Sequence, residues 1–275
     1  MTQRIAPIVK WVGSKKRLVD TLISLLPKHY DTYCEPFVGG GSLLFALEPK
    51  KAWINDINQD LMLMYEYIKS DLDKIKAILD KFENTEECFY EVRAWDRDEN
   101  YKSRPAIERV ARLLYLNRTC YNGLYRVNSK GYFNAPFGFY KNPKLLNMEN
   151  AQLVSEYLKN NDVKITSLDF SDVISNVKKD SFVYLDPPYL RLEKKNSFTS
   201  YDINGFNIDD HNALFECCKY LDQKGIKFML SNSMTNDVLK IFSCFSITEV
   251  KTKRIIASNV NSRGEISEVV IRNYL

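Results

Sequence analysis

An apolar run that ends in an acid and two prolines constrains this chain more than any other feature. Residues 182–185 (Phe-Val-Tyr-Leu) predict a buried strand, and Asp186, Pro187, Pro188 and Tyr189 follow it directly. Because proline has a fixed φ and restricts the residue before it, the backbone leaves this strand stiff and extended. A carboxylate, a free carbonyl and an aromatic ring placed together can hold a planar amine such as that of adenine. A strand followed by a simple proline turn is the alternative interpretation.

A glycine-rich loop forms the second candidate site. Residues 35–41 (Glu-Pro-Phe-Val-Gly-Gly-Gly) lie where a first strand should turn into a helix, and glycines there let the backbone approach a ligand closely. Asp56 follows the next predicted strand, where an acid can accept a ribose hydroxyl. No P-loop lysine follows the glycines, which disfavours phosphoryl transfer. A glycine turn with a helix-capping Asp is the alternative.

Basic and aromatic side chains concentrate in one stretch of the chain. Between residues 109 and 144 there are seven basic residues and no acid: Arg109, Arg112, Arg118, Arg126, Lys130, Lys141 and Lys144. Residues 128–131 (Asn-Ser-Lys-Gly), between two apolar runs, predict a hairpin turn. Arg pairs bidentately with guanine and an aromatic ring can wedge into a base stack, so the stretch suits a nucleic-acid groove. A solvated basic face over an aromatic minicore is the alternative.

Alternating strand and helix patterns predict an α/β fold with a mostly parallel sheet covered on both faces. The expected strands are residues 32–37, 52–55, 163–168, 182–185, 227–230, 246–250 and 268–274. Helical spacing occupies residues 14–26, 72–82, 106–116, 209–223 and 235–242. The character of the chain changes after Asp60. We therefore expect a discontinuous domain of residues 1–60 and 160–275, with residues 61–159 inserted.

Composition excludes several classes of protein. No apolar stretch approaches the roughly 18–20 residues of a membrane span, and a net charge of +4 does not by itself indicate a nucleic-acid partner. Six cysteines without a C-x-x-C pair favour reduced thiols and a cytoplasmic location. The two histidines lie far apart, which argues against a metal site.

The motifs together resemble a known family, the Dam-type DNA adenine-N6 methyltransferases, including those of GATC restriction–modification systems. The resemblance is carried by residues 10–15 (Lys-Trp-Val-Gly-Ser-Lys), 35–41, 55–58 (Asn-Asp-Ile-Asn), 116–118 (Leu-Asn-Arg), 121–126 (Tyr-Asn-Gly-Leu-Tyr-Arg), 133–138 (Phe-Asn-Ala-Pro-Phe-Gly), 186–189 and 198–201 (Phe-Thr-Ser-Tyr). Their order is that of the α group. The resemblance implies a Rossmann-like methyltransferase sheet with an inserted helical and β-hairpin domain for DNA recognition.

The resemblance also implies roles for individual residues around the cofactor, S-adenosyl-L-methionine. The expected cofactor contacts are Trp11, Lys15, Phe37, Gly39, Asp56, Asp169, Phe170 and Asp186. Asp186, Pro187, Pro188 and Tyr189 form the catalytic motif that would hold the target base. No metal is expected.

A second set of residues is expected at the DNA, as implied by the same resemblance. It comprises Lys10, Tyr121, Asn122, Leu124, Arg126, Pro136, Tyr140 and Lys141. Among these, Arg126 matches a guanine-reading arginine, Tyr121 an intercalating aromatic and Lys10 a contact to the outer base. Two departures from the family pattern are Phe139, where many relatives carry arginine, and the loop at residues 190–195, which lacks the usual proline.

The expected reaction is methyl transfer to N6 of adenine in duplex DNA, within GATC, after the base has flipped out of the stack. If the chain belongs to a restriction–modification system, a cognate endonuclease acts separately beside it. Two other classes stay open at this point. One is a methyltransferase that acts on RNA or on a protein side-chain amide, because such loops hold planar amines generally. The other is a non-catalytic DNA-binding module with the same fold.

Overall fold

A single mostly parallel sheet organises the molecule in the computed structural model, which describes residues 4–189, 206–253 and 265–275. Its seven strands lie in the order β3-β2-β1-β4-β5-β7-β6, and β7 runs antiparallel to both of its neighbours. The strands are β1 (Thr32–Glu35), β2 (Lys51–Asn55), β3 (Asp162–Thr166), β4 (Ser181–Leu185), β5 (Lys227–Ser233), β6 (Ser246–Lys253) and β7 (Glu265–Arg272). All seven expected strands are present, so the prediction of a mostly parallel α/β sheet is confirmed.

Ten α-helices are found in the described part of the chain. They are α1 (Val19–Ser24), α2 (Ser42–Leu47), α3 (Gln59–Ser70), α4 (Leu72–Leu79), α5 (Glu86–Ala94), α6 (Ala106–Thr119), α7 (Met148–Asn160), α8 (Phe170–Ser175), α9 (Ile208–Gln223) and α10 (Asn236–Ile241). The helix expected from residue 14 begins only at Val19, because Gly13 has a positive φ of 84° and the Lys15 ammonium bonds back to its carbonyl.

Two hydrophobic clusters cover the two faces of the sheet. One joins Tyr33 of β1 to helices α3, α6 and α7 through Leu61, Leu114 and Leu158. The other joins β4 and β5 to α8, α9 and α10. All five residues of β4 are buried, as expected of a parallel strand covered on both sides.

The strand order reverses between β1 and β4. From β1 the chain proceeds outward to β2 and β3, and it then returns to place β4 on the other side of β1. A crevice forms outside the carboxyl ends of the strands at such a reversal, and ligands of open α/β sheets bind there. The loops after β1, β2 and β4 all open on this edge.

The hairpin expected around residues 128–131 is present as a turn, without a regular ladder. The Asn128 amide donates to the Tyr132 carbonyl at 2.8 Å, and flanking pairing is limited to isolated bridges such as Val127 with Phe133. Side chains form hydrogen bonds with backbone groups that would pair with each other in a regular β-ladder. The Phe133 amide donates to Asp96 at 2.6 Å, and its carbonyl accepts from Arg97 at 3.1 Å.

Within the described residues, no helix is both long enough and apolar enough to cross a membrane.

Candidate functional site

The carboxyl edge of the sheet gathers the predicted acids around the crevice between β1 and β4. Glu35 ends β1, Asp56 follows β2 and Asp186 follows β4. Burial raises the pKa of Glu35 well above its usual range, and the Tyr33 hydroxyl donates to its carboxyl group at 2.7 Å. The sheet thus brings together residues that lie more than 100 positions apart in the sequence.

Asp186 is paired with a buried cation. The Lys15 ammonium lies 2.8 Å from Asp186 Oδ1, close enough for an ion pair, although Oδ1 has no hydrogen-bond partner of acceptable geometry. The same ammonium donates to the Gly13 carbonyl at 2.7 Å. Burial raises the pKa of Asp186, and the charge of Lys15 opposes that rise. Asp186 therefore offers a buried oxygen that can accept a further hydrogen bond.

Tyr189 lies beside this pair. The Lys15 ammonium stands 4.6 Å from the centroid of the Tyr189 ring, and the Tyr189 hydroxyl donates to Glu268 of β7. Pro187 is buried and Pro188 is exposed. Lys15 contacts both the carboxylate and the ring that were predicted to hold the target amine.

The glycine loop folds tightly against Trp11 and Asp56. Gly39 has a φ of 48°, and a methyl group added to it would lie 2.8 Å from Trp11 Cδ1. Its amide donates to Asp56 Oδ2 at 3.1 Å, and its carbonyl accepts from the Tyr65 hydroxyl at 2.8 Å. Burial raises the pKa of Asp56 to about 6. Only glycine fits between these neighbours without displacing them.

Aromatic rings line the other side of the loop. Phe37 and Phe170 have ring centroids 5.2 Å apart, and Phe206 packs edge-on against Phe37 at 5.9 Å. Asp169 caps α8, where its carboxylate accepts from the amide of Ser171 at 2.9 Å. Trp11 stacks on Tyr125 at 4.7 Å. Phe37 and Phe170, both expected to contact the cofactor, are thus neighbours.

The residues expected at the DNA lie on one exposed stretch. Tyr121 and Leu124 are 57% and 44% exposed, and Asn122 adopts a φ of 57°. The Tyr121 amide donates to the Pro136 carbonyl at 2.8 Å, which joins the two ends of the stretch. Exposed apolar and aromatic side chains on a fixed backbone are available for contact with a partner.

Arg126 is exposed, and Asn134 restricts its side chain. Arg126 Nε donates to Asn134 Oδ1 at 2.7 Å, and its Nη2 donates to the Asn134 carbonyl at 3.2 Å. The guanidinium is therefore held in one orientation before any base is present.

Lys10, Tyr140 and Lys141 line a shallow basic pocket together with Arg118 and Lys144. The backbone of Lys10 is fixed by Asn117, whose side chain accepts from the Lys10 amide at 2.9 Å and donates to its carbonyl at 2.8 Å.

Two of the seven basic residues do not face solvent. Arg109 forms an ion pair with Asp60, and Arg112 lies 2.7 Å from Asp96; both arginines are buried. The interpretation of the whole basic stretch as one charged surface is wrong for these two positions. Their partners precede the stretch in sequence, so a local count of charges overestimates the surface charge.

Several residues at the site were not predicted from the sequence. They are Tyr65 and Glu268, together with Asn55, Asn117 and Asn134, which lie in motifs that carry the resemblance but had no role of their own assigned. Asn55 is fully buried and bonds to the Pro36 and Leu168 carbonyls, so it ties together the loops after β1 and β3. A polar residue in an otherwise apolar strand is the one sequence signal that could have identified it.

Some predicted features fall outside the described residues. These are the motif at residues 198–201 and the departure from the family pattern at residues 190–195.

Comparison with known proteins identifies the class. A family model for the D12 class of N6 adenine-specific DNA methyltransferases matches residues 11–256. The chain belongs to this family, and the predicted resemblance is confirmed. It is an adenine-specific DNA methyltransferase that acts on N6.

Individual relatives match over nearly the whole chain. The type II methyltransferase M1.LlaDCHI of Lactococcus lactis subsp. cremoris is 40% identical, covering 98% of this chain and 96% of the relative. The type II methyltransferase M.MjaIII of Methanocaldococcus jannaschii is 43% identical, covering 98% and 99%. The DNA adenine methylase of Escherichia coli K12 is 32% identical, covering 95% and 93%.

Proposed function

We propose that this methyltransferase uses S-adenosyl-L-methionine to methylate the adenine of GATC in duplex DNA, with the target base flipped out of the helix. The observation that carries the proposal is the position of Asp186 and Tyr189 beside the glycine loop, at the reversal of strand order. The GATC sequence rests on the resemblance of the motifs. Two relatives are named type II methyltransferases, which supports a separately acting endonuclease as partner.

The residues at the crevice fit the cofactor. The Phe37 and Phe170 rings pack against each other and offer an aromatic wall for a purine, and Asp56 can accept from ribose hydroxyls at the end of β2. Gly39 lets Trp11, another expected cofactor contact, pack directly against the glycine loop, since a side chain there would collide with the indole. Asp186 Oδ1, which is paired with the Lys15 ammonium, would lie at the end of the crevice at which the methyl group is presented. Asp169 would border the purine, and Lys15 would lie near the amino-acid end.

The proposed mechanism derives from the groups around the target amine. S-adenosylmethionine supplies an electrophilic methyl group. The adenine amine donates its two hydrogens to the Asp186 carboxylate and the Pro187 carbonyl. This localises the nitrogen lone pair that is otherwise delocalised into the ring. Tyr189 stacks on the base and holds it in line, so that alignment and exclusion of water supply much of the rate. Stacking also offsets part of the few kcal/mol that flipping costs.

Recognition is assigned to the inserted residues 61–159, and chemistry to residues 1–60 and 160–275. Arg126 would read a guanine, Tyr121 would enter the base stack, and Lys10 would contact the outer base. Asn122, Leu124 and Pro136 would lie at the DNA beside them. Tyr140 and Lys141 would contact the backbone next to the basic pocket. All of these residues except Lys10 lie in the insert, and the exposure of Tyr121, Asn122, Leu124 and Arg126 on one stretch supports this division of roles.

Cofactor affinity is expected to depend on the ionisation of Asp56. Because burial raises its pKa to about 6, the carboxylate is protonated below that pH and accepts ribose hydroxyls less well. Affinity should fall as the pH drops below 6, by up to about tenfold per pH unit. Calorimetric titration of S-adenosylmethionine between pH 5 and pH 8 measures this. Asp56→Asn should bind more weakly and lose that slope. If the affinity of Asp56→Asn for S-adenosylmethionine still falls with pH at the wild-type slope, a group other than Asp56 is responsible for the pH dependence.

The deciding experiment is methyl transfer from labelled S-adenosylmethionine to unmethylated duplex DNA, with the modified base mapped by sequencing. We expect N6-methyladenine confined to GATC. Methyladenine in another sequence would retain the chemistry and reject the specificity. Parallel reactions with RNA and with protein test the other methyltransferase classes. Cofactor binding without transfer to any of these would favour a non-catalytic DNA-binding role.

A further inference from the structure

Glu268 brings a carboxylate from β7 to the catalytic edge of the sheet. It pairs in register with Ser233, the last residue of β5, and with Val250 of β6. Since β5 runs parallel to β4, its carboxyl end lies at the edge where Asp186 follows β4. β7 is antiparallel, so a residue near its start reaches the same edge.

The Glu268 carboxylate accepts a hydrogen bond from the Tyr189 hydroxyl. This bond spans 79 residues of sequence and joins two strands, β4 and β7, that are separated by β5. Burial raises the pKa of Tyr189, which keeps the phenol in its donor form. Hydrogen bonds to an ionised acceptor are among the strong ones in proteins.

We infer that Glu268 is a positioning residue for methyl transfer, because its carboxylate fixes the far end of the Tyr189 ring, on which the target adenine stacks, at the catalytic edge of the sheet. The inference rests on the proposed role of Tyr189. The geometry supports it from two sides: the hydroxyl is anchored on Glu268, and the ring face stays turned toward the Lys15 ammonium beside Asp186.

The reason for such an anchor lies in the requirements of stacking. A flipped base is held in line only if the ring that it stacks on stays in one place, and a half-buried tyrosine can otherwise change its χ1 rotamer and move away. Without the hydrogen bond to Glu268, the Tyr189 ring would occupy several positions when the flipped adenine arrives. The base would then be held less often in line with the methyl group, so the transfer step would slow while cofactor affinity stayed constant.

A double-mutant cycle tests this inference, with single-turnover methylation of duplex DNA as the readout. Glu268→Ala and Tyr189→Phe each remove the hydrogen bond, and each should slow transfer about 10- to 100-fold. The double variant should be no slower than the slower single variant, because both changes remove one interaction. Glu268→Gln keeps an acceptor oxygen and should recover most of the rate. Glu216→Ala, on the exposed face of α9, serves as the control for loss of a surface carboxylate.

Two further measurements separate positioning from a loss of stability. The KM for S-adenosylmethionine should stay constant in all variants. Fluorescence of 2-aminopurine at the target position should show that Glu268→Ala captures the flipped base less well. If Glu268→Ala folds poorly, Tyr189→Phe removes the same bond with a smaller change and decides the matter.

The outcomes of these experiments distinguish failure of the Glu268 inference from failure of the proposed function. Wild-type rates for Glu268→Ala, or additive losses in the double variant, would overturn the inference while leaving the proposed function in place. Full activity of Tyr189→Ala would remove the stacking role itself and the inference with it. Absence of adenine methylation by the wild-type protein would instead reject the proposed function.

Discussion

Replacing Asp186 with alanine is expected to reduce methyl transfer to DNA by at least about a thousandfold. The Asp186 carboxylate is paired with the Lys15 ammonium, which also faces the Tyr189 ring, and its Oδ1 is buried. Without this carboxylate, only the Pro187 carbonyl would remain to accept from the amine, and the lone pair would be localised far less. The measurement is a single-turnover rate on duplex DNA with saturating cofactor.

The control for this variant is structural. Removing Asp186 leaves the Lys15 ammonium without its ion pair, although the bond to the Gly13 carbonyl remains. A loss of about 3 kcal/mol or less in unfolding free energy is expected, with a native circular dichroism spectrum. Asp186→Asn, which preserves the shape of the side chain, should be similarly inactive and more stable. Substantial activity in either folded variant would refute the assignment of the site.

Arg126→Ala is expected to relax specificity at one guanine, with a loss of about 1–3 kcal/mol of discrimination. The reason is that a guanidinium pairs with guanine O6 and N7 together, and Asn134 already holds this one in place. The measurement is kcat/KM on duplexes in which 7-deazaguanine removes the N7 acceptor. The wild-type protein should discriminate against this base and the variant should not.

Lys130→Ala provides the matched control for Arg126→Ala. Lys130 is exposed in the same turn region, so its loss removes one charge from the same surface. It should weaken binding about equally on all duplexes and flatten the salt dependence. If Arg126→Ala behaves in the same uniform way, Arg126 contacts the DNA backbone and does not read a base.

The sequence predicts the sheet well because strands that are buried on both faces must be apolar throughout. The residues of β4 show this, and their burial matches the prediction. Helix ends were less predictable. The first helix starts at Val19 because the Lys15 side chain binds the Gly13 carbonyl and the Asp186 carboxylate. Helical periodicity in the sequence does not predict these contacts.

The candidate site was predictable where chemistry is local to a motif. Asp186 and Tyr189 are three positions apart in one motif, and Phe37 and the glycines at positions 39–41 belong to another. Contacts between distant segments were not predictable. Glu268 meets Tyr189 because β7 is antiparallel, and Arg112 is buried because Asp96 and the carbonyls of Val92 and Arg93 lie opposite it in the folded chain.

The contact between Asn134 and Arg126 has a consequence for the thermodynamics of DNA binding. Ordering a long side chain at an interface costs about 0.5–1.5 kcal/mol of conformational entropy. In this protein that ordering occurs when the chain folds, since both Nε and Nη2 of Arg126 are already bonded to Asn134. Association with DNA would therefore start from a side chain with little rotamer freedom left to lose, so its ordering would subtract little from the affinity that a contact between Arg126 and a base supplies.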